Sequence, residues 1–371
     1  MESAKMSTST TSLISARLTD FLTSPWLRPL NDLDALDDLV GRLDASWSLT
    51  RIKARVIATQ RETADVRTLV LRPNRLWPGH VAGQHVLVEA EIDGRRVRRT
   101  FTISSAPRAD GNLAITVKRH AGGKLSVWWN EQAALGDVLT LSAPVGEFVL
   151  PASIPKRIVM LSAGSGITPV MALVRDLSAR APDTKLLFVH CARSEADVIF
   201  RTELETLAHD LPHFELRLHL TESAGRLDAA ALSALAQTAG DDLTFVCGPA
   251  GFIDAATDAW QAIGNVGRLR SERFGPPASI VTGDGSASQP VRAERSGVSF
   301  VAGGGKSLLG EAEAAGLTPA YGCRQGICHT CKCRKLSGSV EDLRTGKVSH
   351  QPDEFIQLCV SAARSAVTLD L

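Results

Sequence analysis

Five of the chain's seven cysteines lie within its last 49 residues, and their spacing restricts that end of the chain more than any other feature does. Cys323-Arg324-Gln325-Gly326-Ile327-Cys328-His329-Thr330-Cys331 reads C-x4-C-x2-C, and Cys359 follows 28 positions on. An odd number of thiols crowded into one end of a long chain argues against a disulfide scaffold and for a metal centre. Four thiolates, three of them on one tight loop, suit a 2Fe–2S cluster. Gly322 and Gly326 let the backbone curl around inorganic sulfides and aim amide N–H groups at them. The plainer alternative is structural zinc. Zinc modules supply paired C-x2-C knuckles, however, and here only Cys328 and Cys331 make one. Cys333 is expected on the strand leaving the loop, outside the ligand set, and His329 at the surface.

A cysteine loop does not need 371 residues, a length that predicts two or three domains. With 44% hydrophobic and 22% charged residues each domain can bury a core, and disorder is excluded for the bulk of the chain. A formal net charge of +1 excludes a generally basic, nucleic-acid-coating surface. The longest uncharged apolar run, residues 158–174, is 17 long and broken by Gly164, Gly166 and Pro169, too short and too interrupted for a membrane span. The first twenty residues carry no secretory pattern, so a cytoplasmic location is expected.

Residues 1–49 read as a helical leader. Leu33, Leu36, Leu39, Val40 and Leu43 recur at helical spacing, predicting a helix packed on the next domain, with a partner-docking arm as the alternative. Residues 50–152 hold short alternating segments at 52–56, 66–71, 85–90, 98–103, 113–118 and 138–141, which predict a small antiparallel β-barrel. Residues 153–276 switch to strand–helix alternation. Strands at 158–161, 186–190 and 243–247 and helices at 170–178, 202–208 and 229–237 predict an α/β domain on a parallel sheet. Residues 277–289, within a stretch rich in Gly, Ser and Pro, read as a linker. Residues 290–371 add a strand-like opening, a short helix near 307–315, the cysteine loop and two closing apolar segments.

Arg99-Thr100-Phe101-Thr102 ends one barrel segment, and Val117-Lys118-Arg119 precedes Gly122-Gly123-Lys124-Leu125-Ser126. Strand 158–161 runs into Ala163-Gly164-Ser165-Gly166-Ile167-Thr168-Pro169, a phosphate-cradling turn with Pro169 expected at the first helical position. With Phe245-Val246-Cys247-Gly248-Pro249 and Glu272-Arg273-Phe274, these motifs resemble the ferredoxin–NADP reductase superfamily. Residues 291–371 resemble a plant-type ferredoxin domain at all four ligand positions, Cys323, Cys328, Cys331 and Cys359. The resemblance covers nearly everything from residue 50 onward and implies a flavin barrel, a nicotinamide domain and an α+β ferredoxin domain of β-grasp type, in that order.

It also implies roles. Arg99, beside Thr100, offers a fork of donors to a flavin phosphate. Phe101 presents an aromatic face to the isoalloxazine ring where the family usually has Tyr, so stacking survives and the phenol hydrogen bond is lost. Thr102 places a hydroxyl or amide near flavin N5. Val117, Lys118, Gly122, Gly123 and Ser126 match the second phosphate site, where a G-x-x-S turn opens a helix. FAD is expected, with FMN the alternative. Gly164, Gly166, Thr168 and Pro169 would cradle the nicotinamide nucleotide's phosphates. Cys247, Gly248 and Pro249 would sit beside the nicotinamide, with the thiol near its reactive carbon; chemistry alone equally allows an inert buried cysteine. Glu272 and Phe274 fall near the flavin edge. Arg193, Ser194 and Arg201 fall where the family contacts the adenosine ribose. There they favour the 2′-phosphate of NADPH over NADH, or are ordinary solvated arginines.

The parts imply an iron–sulfur flavoprotein reductase that turns a hydride donor into a one-electron source. Ser24-Pro25-Trp26-Leu27, residues 62–69, the loop 327–331 with residues 334–338 and the ending Val367-Thr368-Leu369-Asp370-Leu371 look most similar to reductase partners of membrane fatty-acid desaturases. That implies a di-iron fatty-acyl desaturase as acceptor and a peripheral place at the inner membrane through it. Alternatives are the reductase of a phenylacetyl-CoA epoxidase or Rieske-type oxygenase, a hybrid-cluster-protein reductase, or a redox-sensing or zinc module that has lost its flavin. Residues 290–371 hold ten Lys/Arg against eight Asp/Glu, net +2. Arg324, Lys332, Arg334 and Lys335 around the loop suggest a basic rim for an acidic acceptor face, or plain solvated charge.

Overall fold

The structure, a computed structural model, describes residues 33–274, 287–303, 305–322, 324, 326 and 330–371. The leader's leucine spacing forms a helix, α1 (Leu33–Leu43). Its stripe packs only in part: Leu36 and Val40 are half-buried, but Leu39 and Leu43 are 59% and 76% exposed, whereas Asp37 is 6% exposed. Asp37 accepts from the Ser48 hydroxyl and the Leu49 N–H. Burial pushes its carboxyl up, but those donors outweigh burial and hold it below the ordinary carboxylate range. A buried acid with its own donors pins the helix.

Alternation at period two then builds six antiparallel strands. They are β1 (Ile52–Thr63), β2 (Val66–Pro73), β3 (His85–Ile92), β4 (Arg95–Thr102), β5 (Leu113–Lys118) and β6 (Val138–Leu141), ordered β4-β3-β6-β1-β2-β5. An Ile103–Ile115 bridge joins the two outer strands and rounds the sheet into a barrel. Helix α2 (Lys124–Glu131) buries Trp129 in the barrel's apolar core, its ring 5.5 Å from that of Phe101.

The next stretch runs β7 (Arg157–Ala163), α3 (Ile167–Arg180), β8 (Lys185–Ala192), α4 (Arg201–Asp210), β9 (Phe214–Leu220), α5 (Thr221–Ala224), α6 (Ala229–Ala239), β10 (Leu243–Gly248), α7 (Ala250–Ala262) and β11 (Leu269–Arg273). All five strands are parallel, in the order β11-β10-β7-β8-β9. The winding therefore starts at β7 and reverses direction between β7 and β10. The loops leaving those two strands diverge and open a crevice at their carboxyl ends. This sheet is docked on the barrel: Phe148 meets Phe245 edge-on at 5.2 Å, and Arg175 of α3 donates to the Ser104 carbonyl while paired with Glu203.

The C-terminal domain comprises β12 (Gln289–Ala293), β13 (Val298–Ala302), α8 (Leu308–Ala314), β14 (Lys332–Ser337), β15 (Val340–Asp342), β16 (Val348–Ser349), β17 (Glu354–Gln357), β18 (Ser361–Ala363) and β19 (Val367–Leu369). Its main sheet is ordered β13-β12-β19-β14-β17 with β12 and β19 parallel, and β16-β15-β18 form a smaller one. Leu308 and Leu309 of α8 lie in a core with Val291, Val367 and Leu369. The fold is thus antiparallel barrel, parallel α/β sheet and α+β C-terminal domain, as the sequence predicts.

The basic rim is corrected. Lys335 is fully buried, donating to the Gly338 and Ser349 carbonyls and paired with Glu354 at 2.7 Å. Arg324 is paired with Glu313 and Arg334 with Asp353. Among the described residues only Lys332 of the four has no acidic partner, and it lies 4.4 Å from the Phe355 ring centroid. Paired or buried charge does not project the field a steering patch needs.

Candidate active site

A cavity of about 620 Å³ draws on all three domains. Arg99, Thr100, Phe101 and Thr102 reach it from the end of β4, and Val117 and Lys118 from the end of β5. His120, Gly122, Gly123 and Ser126 reach it from the turn into α2. The parallel sheet contributes Ser165 and Thr168 from the turn into α3, and Glu272 and Phe274 from the end of β11. Tyr321, Gly322 and Arg324 close it from the C-terminal domain. Twelve residues picked out by motif therefore share one cavity wall.

The turn into α2 is built to leave amides free. Gly122 has φ +75°, and a Cβ on Gly123 would lie 2.5 Å from Ser126 Oγ. Ser126 Oγ accepts from the His120 N–H at 3.1 Å, and no side chain caps the helix. Its first N–H groups remain available to an anion. Lys118, 3.4 Å from Asp65, adds a cation at the same mouth.

The second phosphate-type turn is equally constrained. A single 3-10 turn, Gly164–Gly166, precedes α3, so Pro169 is the third helical residue and not the first as expected. The first-turn N–H groups have no intrahelical acceptor, so proline costs nothing there either. A Cβ on Gly166 would lie 2.3 Å from the Cys247 carbonyl oxygen and 2.6 Å from the Gly248 nitrogen. Gly166 thus packs on the Cys247–Gly248 peptide where β7 and β10 end, and none of Gly164, Gly166, Cys247, Gly248 and Pro249 lines the cavity.

Cys247 is fully buried, and its register partner across to β11 is Glu272. Burial, with the Glu272 charge adding to it, pushes the thiol well above its ordinary range. Burial likewise pushes Cys191 up to about 12. Both stay protonated at neutral pH, so brief treatment of the native protein with iodoacetamide at pH 8 is expected to leave Cys191 and Cys247 unlabelled by peptide mass analysis, whereas denatured protein labels at both.

Arg193 and Ser194, just past β8, and Arg201, at the start of α4, lie apart from the cavity. Arg193 donates two hydrogen bonds to Asp197, the Ser194 hydroxyl donates a third at 2.6 Å, and Arg201 is paired with Glu195 and Glu205. To take a phosphate these arginines must exchange carboxylate partners.

Two residues that no motif signalled complete the site. His85 Nδ1 lies 3.3 Å from Glu272 Oε1, joining barrel to sheet, and Tyr321 faces Arg99 across the domain boundary. His85 Nε2, Glu272 Oε2 and Thr100 Oγ1 are buried without a hydrogen-bond partner, and all three residues line the cavity. Orphaned polar atoms in a roomy, partly apolar cavity fit a planar ligand with a polar edge.

For the metal centre, Cys331 and Cys359 are each 3% exposed, and the Leu358 N–H donates to the Cys331 carbonyl at 3.1 Å, tying their segments together. Cys323, Cys328 and His329 lie outside the described residues, and no set of three metal-ligating side chains is complete among those described. Cys333 is on β14, buried, its thiol pushed up to about 11 by burial. Two buried thiols on segments tied together fit a cluster, and the nearby Gly326 has φ +75° with its carbonyl accepting from Arg344 and Gln357.

Known proteins share this arrangement. Residues 53–150 match the oxidoreductase FAD-binding domain, 160–258 the oxidoreductase NAD-binding domain and 291–364 the 2Fe-2S iron-sulfur cluster binding domain. An NADPH oxidoreductase of Mycobacterium tuberculosis (strain H37Rv) is 36% identical over 341 residues, 90% of this chain and 88% of that protein. The chain belongs to the ferredoxin–NADP reductase superfamily, in its 2Fe–2S-fused branch. A glycine betaine monooxygenase reductase subunit of Pseudomonas aeruginosa (strain UCBPP-PA14) is 31% identical over 88% of this chain and 96% of its own. Phthalate dioxygenase reductase shares the fold, with TM-score 0.58 at 23% identity over 87% of this chain and 98% of that one. The reductase is an oxidoreductase with FAD, nicotinamide and 2Fe–2S domains. When bound, these groups together convert a two-electron hydride into single electrons. What the chain itself supplies is an apolar wall in which Phe101 packs on the buried Trp129, and a Cys247 thiol kept neutral by burial.

Proposed function

We propose that the reductase takes its hydride from NADPH and passes single electrons to an oxygen-activating di-iron acceptor, a membrane fatty-acyl desaturase. The observation that carries the electron path is the single cavity to which the barrel, the nicotinamide domain and the cluster domain all contribute side chains. In this reading Arg99, Thr100 and the Gly122–Ser126 turn hold the flavin phosphates and Phe101 and Thr102 face its ring. The Gly164–Gly166 turn, Thr168 and Cys247 position the nicotinamide, while Cys323, Cys328, Cys331 and Cys359 hold the cluster. The resemblance of residues 62–69, 327–331, 334–338 and 367–371 to desaturase partners supports the acceptor; Ser24-Pro25-Trp26-Leu27 and residues 327–329 lie outside the described residues. No described helix is long and apolar enough to cross a membrane.

A second reading, a soluble oxygenase component as acceptor, draws on the names of relatives such as the glycine betaine monooxygenase reductase subunit. Reconstitution separates the two. The holoprotein and NADPH are supplied side by side to a fatty-acyl desaturase in phospholipid vesicles and to a Rieske-type oxygenase, with products read by mass spectrometry. Desaturated acyl chains are the expected product; turnover confined to the oxygenase would replace the first reading with the second.

The preference for NADPH has its own check. Replacing Arg193 by Ala is expected to raise KM for NADPH about tenfold, the low end for a lost charge-assisted bond because Asp197 already competes for that guanidinium. KM for NADH is expected to stay unchanged. Equal effects on both nucleotides would remove Arg193 from 2′-phosphate recognition.

A further inference from the structure

The chain has one tyrosine, and it stands two residues before the first cysteine of the ligand loop. Tyr321 is held between arginines from two domains. The Arg99 guanidinium carbon lies 5.1 Å from its ring centroid, and Arg99 Nη2 donates to the Tyr321 hydroxyl at 3.3 Å. The Arg324 guanidinium carbon lies 3.9 Å from the same centroid, and Arg324 is anchored by two hydrogen bonds to Glu313 of α8. Arg324 holds this place in a left-handed conformation, φ +57°, which non-glycine residues adopt only when their surroundings over-determine it.

Arg99 is the joint of the arrangement. It has five N–H donors, of which the Arg98 carbonyl and the Tyr321 hydroxyl each take one. The remaining donors are enough for a bidentate contact to a phosphate, and both Arg99 and Tyr321 line the cavity. A phosphate there would fix the guanidinium plane that Tyr321 packs on, and Tyr321 in turn would fix the guanidinium for the phosphate.

We propose that Arg99, Tyr321 and Arg324 form an interdomain clasp that couples flavin binding in the barrel to seating of the cluster domain over the same cavity. The clasp rests on the reading of the cavity as the flavin site. Two events that share one ordered side chain are thermodynamically linked, and the linkage is reciprocal: whatever factor seating adds to flavin affinity, flavin adds to seating.

The test uses the full-length protein, with FAD removed and restored, as wild type, Tyr321→Ala and Tyr321→Phe. FAD affinity is measured by equilibrium dialysis, and hydrogen–deuterium exchange is followed across residues 305–322 with and without FAD. Tyr321→Ala is expected to weaken FAD at least about fivefold, the lower bound of usual coupling between sites. Tyr321→Phe, which keeps the ring and loses the hydroxyl, is expected to fall between the two. FAD is expected to slow exchange across 305–322 in the wild type and to lose that effect in Tyr321→Ala. Iron–sulfur absorbance checks that the cluster survives; if the Ala variant loses it, the Phe variant carries the test. FAD affinity within twofold of wild type, with the exchange response intact, would overturn the clasp and leave the flavin site standing. A wild type that binds no FAD would overturn both.

Discussion

Cys359→Ser is expected to abolish NADPH-driven reduction of cytochrome c while leaving NADPH-driven reduction of ferricyanide largely intact. Cytochrome c accepts electrons one at a time from the cluster, whereas ferricyanide can draw them at the flavin. Changes to groups that merely support metal ligands cost about ten- to a hundredfold, so loss of a ligand is expected to cost at least about a hundredfold. Cys359 is almost wholly buried on the turn between β17 and β18, and its neighbour Leu358 is bonded to the Cys331 carbonyl. In the proposed ligand set, a serine there would leave a buried hydroxyl in place of a thiolate ligand and open the cluster to loss. The measurement is paired rates on the two acceptors, with visible and EPR spectra of the reduced protein. Equal rates on both acceptors in variant and wild type would remove Cys359 from the electron path. A wild type without iron–sulfur absorption would reopen the zinc alternative.

Gly166→Ala is expected to slow nicotinamide-driven flavin reduction by about a hundredfold with little change in FAD content. The added methyl would meet backbone atoms of Cys247 and Gly248 at 2.3–2.6 Å, and backbone cannot swing aside as a side chain can. Overpacking of this kind costs about 1–3 kcal/mol, and relief comes by pushing the α3 turn away from the β10 end, widening the crevice between them. Gly164 is the control. Its φ is +54°, but a Cβ there meets nothing within 4 Å, so Gly164→Ala pays only the left-handed penalty of about 1–2 kcal/mol and keeps the crevice geometry. Stopped-flow mixing with NADPH is expected to show Gly164→Ala slowed modestly and Gly166→Ala slowed by about a hundredfold, the scale of a 1 Å misplacement. Similar rates in the two variants would mean that the close approach of the two strand ends does not position the nucleotide.

The barrel was legible because most of its strands alternate buried and exposed side chains: β5 and β6 coincide with the alternating segments, β2, β3 and β4 differ by one to three residues at their ends, and β1 runs seven residues past its segment. In the parallel sheet the central strands were legible as apolar runs, and the edges were not. β11, Leu-Arg-Ser-Glu-Arg, offers one apolar side chain because only β10 flanks it. β9 alternates apolar and polar residues because half of it faces solvent, so a search for buried runs passes over it. Lys335 shows the opposite failure. Charge counting puts every lysine outside, yet Lys335 shares a strand face with Cys333, both buried, and its ammonium is satisfied by two carbonyls and Glu354. Position in the pleat outweighed residue type. His85 and Tyr321 reach the cavity through contacts between residues 187 and 222 positions apart, which no local pattern encodes.

Trp129 carries a practical corollary. Its indole is sealed from solvent directly behind Phe101, at the wall where an isoalloxazine ring would stack. Indole emission overlaps oxidised flavin absorption, so resonance energy transfer would darken this fluorophore whenever the prosthetic group is in place. The apoprotein should therefore glow and dim as it is reconstituted, giving an optical gauge of loading that needs no label.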